Sequence, residues 1–441
     1  MAQVISANHT SHAVCADGTV MGWGGNTYKQ ADTTSYNDCM YALPMPGLQD
    51  IVSVSAGAYH SMALDQQGQV FAWGNNYYGC LGDGTSSDNE IVQPVPGMDN
   101  VSMISAGSAY SLFLKENGTV WACGKNTVGT LGDGTTAQRL SPVQVSGLSG
   151  IVHIDAGYSS SFAIDASGNL YGWGENTYGQ MGIGSTTNVL TPQFIMSDVK
   201  KVAAGGTHTL VLKNDGSLWS FGSNDLGELG IGYYGGYSSS PVQIFSLDSI
   251  ADIGAGGSFS LALRTNGDIW GWGTHIYSQI ALGPVSATDI CWCKVVPTQV
   301  IISDVVTLSV GWASSVVIKS DGTVMSFGAN TNGQLGDGSA EPRYLPVIVT
   351  ELCPVVTGIS EEEEISLNVY PNPFTDEITI EGCSAESEIK IHDVLGRSIG
   401  FDVQGRDEKR IKISIAGSGA GIYFLQVREN GKLFSSKLIR H

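Results

Sequence analysis

The 441-residue sequence predicts an all-β protein, a seven-bladed β-propeller followed by a small C-terminal β-sandwich. Three observations carry that expectation. A strand ending in a bulky residue and a glycine recurs, as in "VMGWG" (20–24), "VFAWG" (70–74) and "LYGWG" (170–174). Its penultimate position is Trp23, Trp73, Cys123, Trp173, Phe221, Trp272 and Phe327, at successive spacings of 50, 50, 50, 48, 51 and 55 residues. No segment shows the 3.6-residue apolar period of a helix, and self-similarity at a fixed period of this size marks a repeat architecture.

Each repeat reads as four strands. One lies before a turn, as in "AGAYHSMAL" (56–64), and one after it, as in "QVFAW" (69–73). "SMALD" and "QVFAW" place apolar residues at alternate positions, which predicts half-buried strands. Between them lie tight turns such as "ADGT", "ENGT", "NDGS" and "SDGT", with the Asp-Gly and Asn-Gly pairs that accept a positive φ. The glycine-rich exit then leads to a third run, "IVQPVPGM" (91–98) or "SPVQVSGL" (141–148), and a fourth, "IVSVSAG" (51–57), leads into the next unit. Four strands in about 50 residues fit one propeller blade, with the Trp/Phe position packed between blades.

The ends predict closure. The chain opens on "AQVISANHTSHAV", the middle of a unit, while "LPVIVTEL" (345–352) supplies a strand at the far end of the repeats. The last segment is therefore expected to complete the first blade and to remove free sheet edges.

The run "AGAYHSMALDQQGQVFAWGNNYYGCLGDGT" resembles the repeat of the regulator of chromosome condensation family, whose members form seven-bladed propellers. The resemblance spans about residues 1–352. Members of that superfamily include a chromatin-bound exchange factor, ubiquitin-ligase modules and a secreted β-lactamase inhibitor, so the fold by itself selects no function.

After an acidic linker at 353–365, which contains "ISEEEE", residues 366–441 read as a second all-β module. Its motifs "VYPNPFTDEITI", "IHDVLGR" and "GIYFLQV", with the basic end "KLIRH", resemble the C-terminal sorting domain of the type IX (Por) secretion system of Bacteroidetes. That resemblance implies export to the outer-membrane surface or beyond, with the secretion machinery as a partner of 366–441. The start "MAQVISANHTSHAV" has neither the basic region nor the apolar core of a signal peptide, so a removed leader is expected upstream. No apolar run approaches the length of a transmembrane helix.

Charge narrows the function. Acidic residues number 41 and basic residues 21, and the last 76 residues hold ten of each, so the net −20 belongs to the rest of the chain. A nucleic-acid-binding surface needs clustered Lys and Arg to neutralise phosphates, which excludes that class here. Charged residues make up 14% of the chain, against about 25% in an average globular protein, so Ser, Thr, Asn and Gly must carry solubility.

Chemistry-bearing motifs are sparse. Asp83, Asp133 and Asp337 sit in "LGDGT" and "LGDGS" loops of separate blades, too dispersed for a carboxylate pair, and each is expected to organise its own turn. "MGIGS" (181–185) lacks the Gly-Lys-Ser/Thr of a phosphate loop. Cys123 replaces a blade tryptophan and should be a buried thiol. Cys291 and Cys293 have one intervening residue, where a zinc pair wants two or more, and a disulfide to another cysteine is expected. The sequence gives no reason to assign a metal or another cofactor.

What varies is the loop after each "AG". Those loops occupy equivalent positions and should cluster on one rim, where His9, Tyr59, His60, Tyr110, Tyr158, His208, Phe259 and Trp312 form the candidate binding set. Aromatic residues dominate interface hot spots. The "NNYYG" type of loop is expected on the opposite rim. The reading is a monomeric, non-catalytic binding propeller for a protein or glycan; the alternative is an extracellular carbohydrate-directed enzyme.

Overall fold

A computed structural model of the chain describes residues 3–6, 9–283, 291–353, 368–381, 387–393, 397–407, 410–415, 419–429 and 432–440. The chain divides into two compact units, Met1–Pro354 and Val355–His441. Most of the acidic linker, residues 354–365, lies outside the described residues.

The first unit is a ring of seven four-stranded antiparallel sheets. Blade 2 shows the plan, with Ile51–Ala56 innermost, then His60–Asp65, Val70–Gly74 and Asn89–Pro94 at the outside. Inner strands abut those of both neighbouring blades, and the first, Gln3–Ser6, abuts the seventh, Val305–Val310. The second strand of each blade is buried along nearly its whole length rather than half-buried. Blades pack face to face, so both sides of the sheet are covered. Met62 and Leu64 face blade 3 beside Phe113 and Cys123, while Ala63 faces blade 1 beside Val14 and Val20.

The recurring aromatic does pack between blades. Trp73 has no exposed surface, lies against Val14, Val20 and Met45 of blade 1, and donates its indole N–H to the Gln30 carbonyl at 3.0 Å. The same bond joins Trp173 to Thr130 and Trp272 to Glu228. Where blade 3 has Cys123, its thiol takes over, reaching the Cys80 carbonyl at 3.4 Å. Close packing there explains one glycine of each "LGDG" loop. Gly132 has φ of 64°, and a Cβ on it would lie 2.8 Å from the Trp173 ring.

An asparagine two residues past the glycine after the recurring aromatic, replaced by His275 in blade 6, pins the loop that follows. Asn76 accepts from the Leu81 N–H and donates to the Thr85 carbonyl, and Asn126, Asn176, Asn224 and Asn330 repeat the pattern.

Closure differs from the expectation. The strand Arg343–Ile348 pairs with Val324–Gly328 of its own blade, whereas blade 1 supplies its own outer strand, Cys39–Pro44. Among the described residues no sheet is shared between the first and seventh blades. The outer strand belongs to the sheet it follows, and in blade 1 "LPMPGL" (43–48) provides the corresponding phrase. The ring is instead closed by bonds between blades 7 and 1, among them the Gly338 N–H on the Met40 carbonyl at 2.9 Å. Trp23 Nε1 and Ser11 Oγ both donate to the Gln334 carbonyl, and Cys15 is disulfide-bonded to Cys353.

Cys291 and Cys293 are bonded to each other rather than to separate partners, since their Cα atoms lie 5.0 Å apart. Cys39, Cys80 and Cys123 are buried thiols, and burial pushes Cys39 and Cys80 up to about 12.

The second unit has two sheets around one core. One runs Asn368–Tyr370, Glu377–Glu381, Arg410–Ser414, Asp402–Arg406; the other runs Glu388–Asp393, Gly421–Glu429, Lys432–Arg440. Ile378, Ile380, Ile411 and Ile413 meet Ile391, Leu425 and Leu438 between them. The Pro-Asn-Pro-Phe segment holds the C-terminal strand, with Phe374 N–H on the Ile439 carbonyl and Arg440 paired with Asp376 at 2.7 Å. Residues 394–396 of the "HDVLGR" turn and 430–431 of the terminal hairpin lie outside the described residues.

Candidate functional site

The loops after "AG" form a ring around the propeller axis because their backbones bond from blade to blade. Ala58 N–H donates to Ser108, Ser108 to Tyr158, and Tyr158 to Gly205; Gly206 continues to Gly256, and Gly257 to Trp312. All of them therefore share one face.

The eight candidate residues separate into two groups on this ring. His60, Tyr110, His208 and Phe259 begin the second strands and point inward, each no more than 1% exposed. They cannot touch a partner, and the structure corrects the expectation for these four. His60 Nε2 meets Ser111 Oγ of the next blade at 3.0 Å, and His208 Nε2 meets Ser260 Oγ at 2.9 Å. The Tyr110 hydroxyl donates to the Ser160 carbonyl and accepts from Ser161 Oγ. These are joints between blades. Burial lowers both histidines to about 4, so each is a neutral ring at physiological pH, and burial likewise raises the Tyr110 phenol.

His9, Tyr59, Tyr158 and Trp312 lie one or two residues earlier on their loops and reach the surface. Tyr59, Tyr158 and Trp312 are each more than 40% exposed. They make two clusters. Trp312 lies over the backbones of Gly206 and Gly257 and meets Tyr158 at 5.0 Å, so residues of blades 4 and 7 meet at the mouth of the axis. Tyr59 stacks on His9 at 5.4 Å and meets the edge of Tyr28 at the same distance. Partial burial holds His9 below its ordinary value against an opposing hydrogen bond with Asn332.

Tyr28 belongs to the loop between the third and outer strands, and so do Tyr77 and Tyr78. These loops are on the same face as the "AG" loops, not the opposite one, with Asn75 N–H bonded to the Tyr59 carbonyl at 2.9 Å. In a four-stranded meander the first and third connections share a side. Strand parity would have revealed this from the sequence, and it brings Tyr28, Tyr77 and Tyr78 into the site.

Below the Tyr158–Trp312 pair runs an axial cavity of about 460 Å³ walled by the inner strands. Its lining is small and mostly uncharged, except where blades 4 to 6 contribute His153, Asp155, Lys201 and Asp252. Lys201 is paired with Asp252. Asp155 accepts from the Ala204 N–H at 2.7 Å, yet enclosure outweighs that bond and raises its carboxyl to about 6. Burial, with Lys201 nearby, lowers His153 to about 4.

The loop aspartates organise their own turns. Asp83, Asp133 and Asp337 accept the N–H two residues on, from Thr85, Thr135 and Ser339. Burial opposes the charge of Asp133, but hydrogen bonds from Thr135 and Arg139 prevail and hold it below its ordinary range. Among the described residues no His, Cys, Asp and Glu cluster could hold a metal ion. No helix of the described residues is long and apolar enough to cross a membrane.

Comparison with known proteins agrees with this geometry. The RCC1-like domain family matches residues 101–372, and regulator of chromosome condensation repeats match 51–80 and 67–114. The secretion system C-terminal sorting domain matches 368–441. The ultraviolet-B receptor UVR8 of Arabidopsis thaliana is 31% identical over 134 residues, covering 30% of this chain and 29% of the receptor. The probable E3 ubiquitin-protein ligase HERC3 of Homo sapiens is 32% identical over 155 residues, covering 34% and 14%. The chain thus aligns with less than a third of the length of either relative. Among solved structures, yeast RCC1 (Prp20) bound to Kap60 superposes with a TM-score of 0.68 at 19% identity, covering 94% of this chain and 93% of that one. Human WBSCR16 gives 0.64 at 20% identity, covering 75% and 94%. At such identities the likeness concerns the fold. The chain belongs to the RCC1-like domain family and carries a type IX secretion C-terminal sorting domain behind its propeller.

Proposed function

We propose that this is an exported, non-catalytic binding propeller that recognises a protein or glycan through the loop rim bearing Tyr59, Tyr158 and Trp312. The sorting domain supports export to the cell surface or beyond. The observation that carries the binding role is the split between neighbouring residues of one loop. The inward residues are consumed in joints between blades, whereas Tyr59, Tyr158 and Trp312, though their rings also meet neighbouring blades, keep more than 40% of their surface exposed. Large exposed aromatics on a rigid, hydrogen-bonded loop ring have the composition and pre-organisation of interface anchors. The loop aspartates are taken up in turns and ion pairs, which disfavours the carbohydrate-directed enzyme. The test compares capture from the organism's surroundings by the propeller and by its Tyr59→Ala/Tyr158→Ala/Trp312→Ala variant. Components held by the first and lost by the second, at unchanged melting temperature, support the reading. An identical set captured by both rejects it.

A further inference from the structure

The rim carries a recess of about 480 Å³ where blades 1 and 2 meet, within the roughly 300–1,000 Å³ range of small-molecule pockets. Four tyrosines, Tyr28, Tyr59, Tyr77 and Tyr78, wall it, and Asn75 and Asp88 supply its polar floor. We infer that this recess binds a neutral oligosaccharide, stacking sugar rings on the tyrosines and pairing hydroxyls with Asn75 and Asp88. The inference rests on the rim reading above and gives its ligand a chemical class.

Three features favour a sugar. The aromatic walls are fixed in advance. Tyr59 is held by His9 and Tyr28, and Tyr77 meets Tyr78 edge-on at 4.9 Å. Aromatic faces of this kind cover the C–H faces of a pyranose, while their hydroxyls address its rim. Among the described residues none of the four phenolic hydroxyls has a hydrogen-bond partner. All four remain for a ligand.

The polar groups are equally fixed and only partly used. Asp88 Oδ1 accepts from Asn75 Nδ2 at 3.0 Å and from Asn76 N–H at 2.7 Å. Its other oxygen, Oδ2, is left over, and a carboxylate oxygen held still by its twin is a ready acceptor for a sugar hydroxyl. A buried hydroxyl needs such a partner, because one left unsatisfied has given up its hydration for nothing.

The composition argues against other ligands. The recess has no aliphatic wall to seat the apolar anchor of a protein partner. A cationic ligand, the other usual occupant of a tyrosine cage, would be drawn by Asp88 but would share the Tyr78 face with Lys125, whose Nζ already sits 5.4 Å from that ring. An anion would meet Asp88. A neutral polyol offends neither charge.

The test is calorimetric titration of the full chain with cello-, xylo-, manno-, malto- and chito-hexaose, and with tetramethylammonium chloride. At least one hexaose should bind. Tyr59→Ala and Tyr77→Ala should each weaken it tenfold or more, and Tyr77→Phe less. Tyr77 is 68% exposed, so its variants should fold, and equal melting temperatures check this. Tyr234→Ala, on blade 5, should change nothing. No binding by any hexaose, binding indifferent to both alanine variants, or binding of tetramethylammonium alone overturns the inference. In those cases, loss of captured components in the Tyr59/Tyr158/Trp312 variant leaves the rim reading standing; retention of them removes that as well.

Discussion

The indole N–H of Trp23 in blade 1 donates to the backbone carbonyl of Gln334 in blade 7 at 3.0 Å, joining positions 311 residues apart. Ser11 Oγ reaches the same carbonyl at 3.1 Å, and Asn332 Nδ2 reaches Asp38 beside it at 2.9 Å. The bond is the same one that joins blades 1 and 2 through Trp73 and Gln30. Closing the ring therefore uses no special device of chain pairing. It uses the ordinary joint between blades once more, at the seam.

Replacing Trp23 with alanine should destabilise the propeller by about 3–5 kcal/mol, the usual cost of truncating a buried aromatic. Trp23→Phe should cost less, because Ser11 still donates to Gln334 and blades 5 and 7 already use Phe221 and Phe327 at this position. Chemical denaturation of the two variants checks the order. A phenylalanine variant as unstable as the alanine one would mean that the indole hydrogen bond, not packing, dominates the seam.

The Cys15–Cys353 disulfide spans the seam over 338 residues of sequence. Cross-links closing long loops typically contribute about 2–5 kcal/mol. Reduction should lower the melting temperature of the native chain, whereas Cys15→Ser should start lower and show little further change with reductant. Equal melting of oxidised and reduced native chain would show that the side-chain joints suffice.

How much could be read from the sequence follows from what each feature depends on. The blades were legible because Trp73, Gly74 and the tight turns are local signals repeated seven times. Assignment of the outer strand was not, because "PVIVTEL" lies between its own sheet and the linker, and order along the chain does not say which neighbour a strand joins. Tyr59 and His60 are adjacent, alternate across a strand start, and so face opposite ways. A loop-level reading grouped them together, and only the register of His60 with Gly74 separates them. The tyrosines of the "NNYYG" loop were misplaced by one loop in the meander.

Acid should destabilise the propeller through its buried histidines. Burial lowers His12, His60 and His208 to about 4, against 6.5 when unfolded. Stability from keeping them neutral is complete above pH 6.5 and is lost as the pH falls towards 4, at up to about 1.4 kcal/mol per pH unit for each. Asp155 works the other way, since its raised carboxyl contributes below pH 4 and loses that contribution as the pH rises through 6. With His153 lowered likewise, four histidines stand against the raised carboxyls of Asp155 and Glu228, and the net result is a fall in melting temperature from pH 6.5 to 4.5. His208→Asn should flatten that slope; an unchanged slope would mean that other groups set it.

Removing residues 366–441 from a chain carrying a leader should leave a folded propeller inside the outer membrane of a host with the type IX system. Fractionation measures this. Normal arrival at the surface would show that the sorting domain is dispensable.

Tyr59 and His60 provide the sharpest separation of binding from folding. The Tyr59 side chain is 43% exposed and its ring meets those of His9 and Tyr28 at the surface, so Tyr59→Ala should change melting far less than loss of a buried joint. Its loss should weaken the rim's ligand by about 2 kcal/mol or more if it acts as a hot-spot aromatic. The neighbouring His60→Ala opens a buried space and withdraws the imidazole from Ser111 Oγ. Ser111 still donates to the Cys80 carbonyl at 2.7 Å, so the polar loss is partial, on the order of 1–3 kcal/mol. That variant should melt lower yet bind with native affinity once folded. Paired melting and titration curves for the two single variants decide the matter. A His60 variant that binds poorly while fully folded would show that the joint between blades 2 and 3 also shapes the rim.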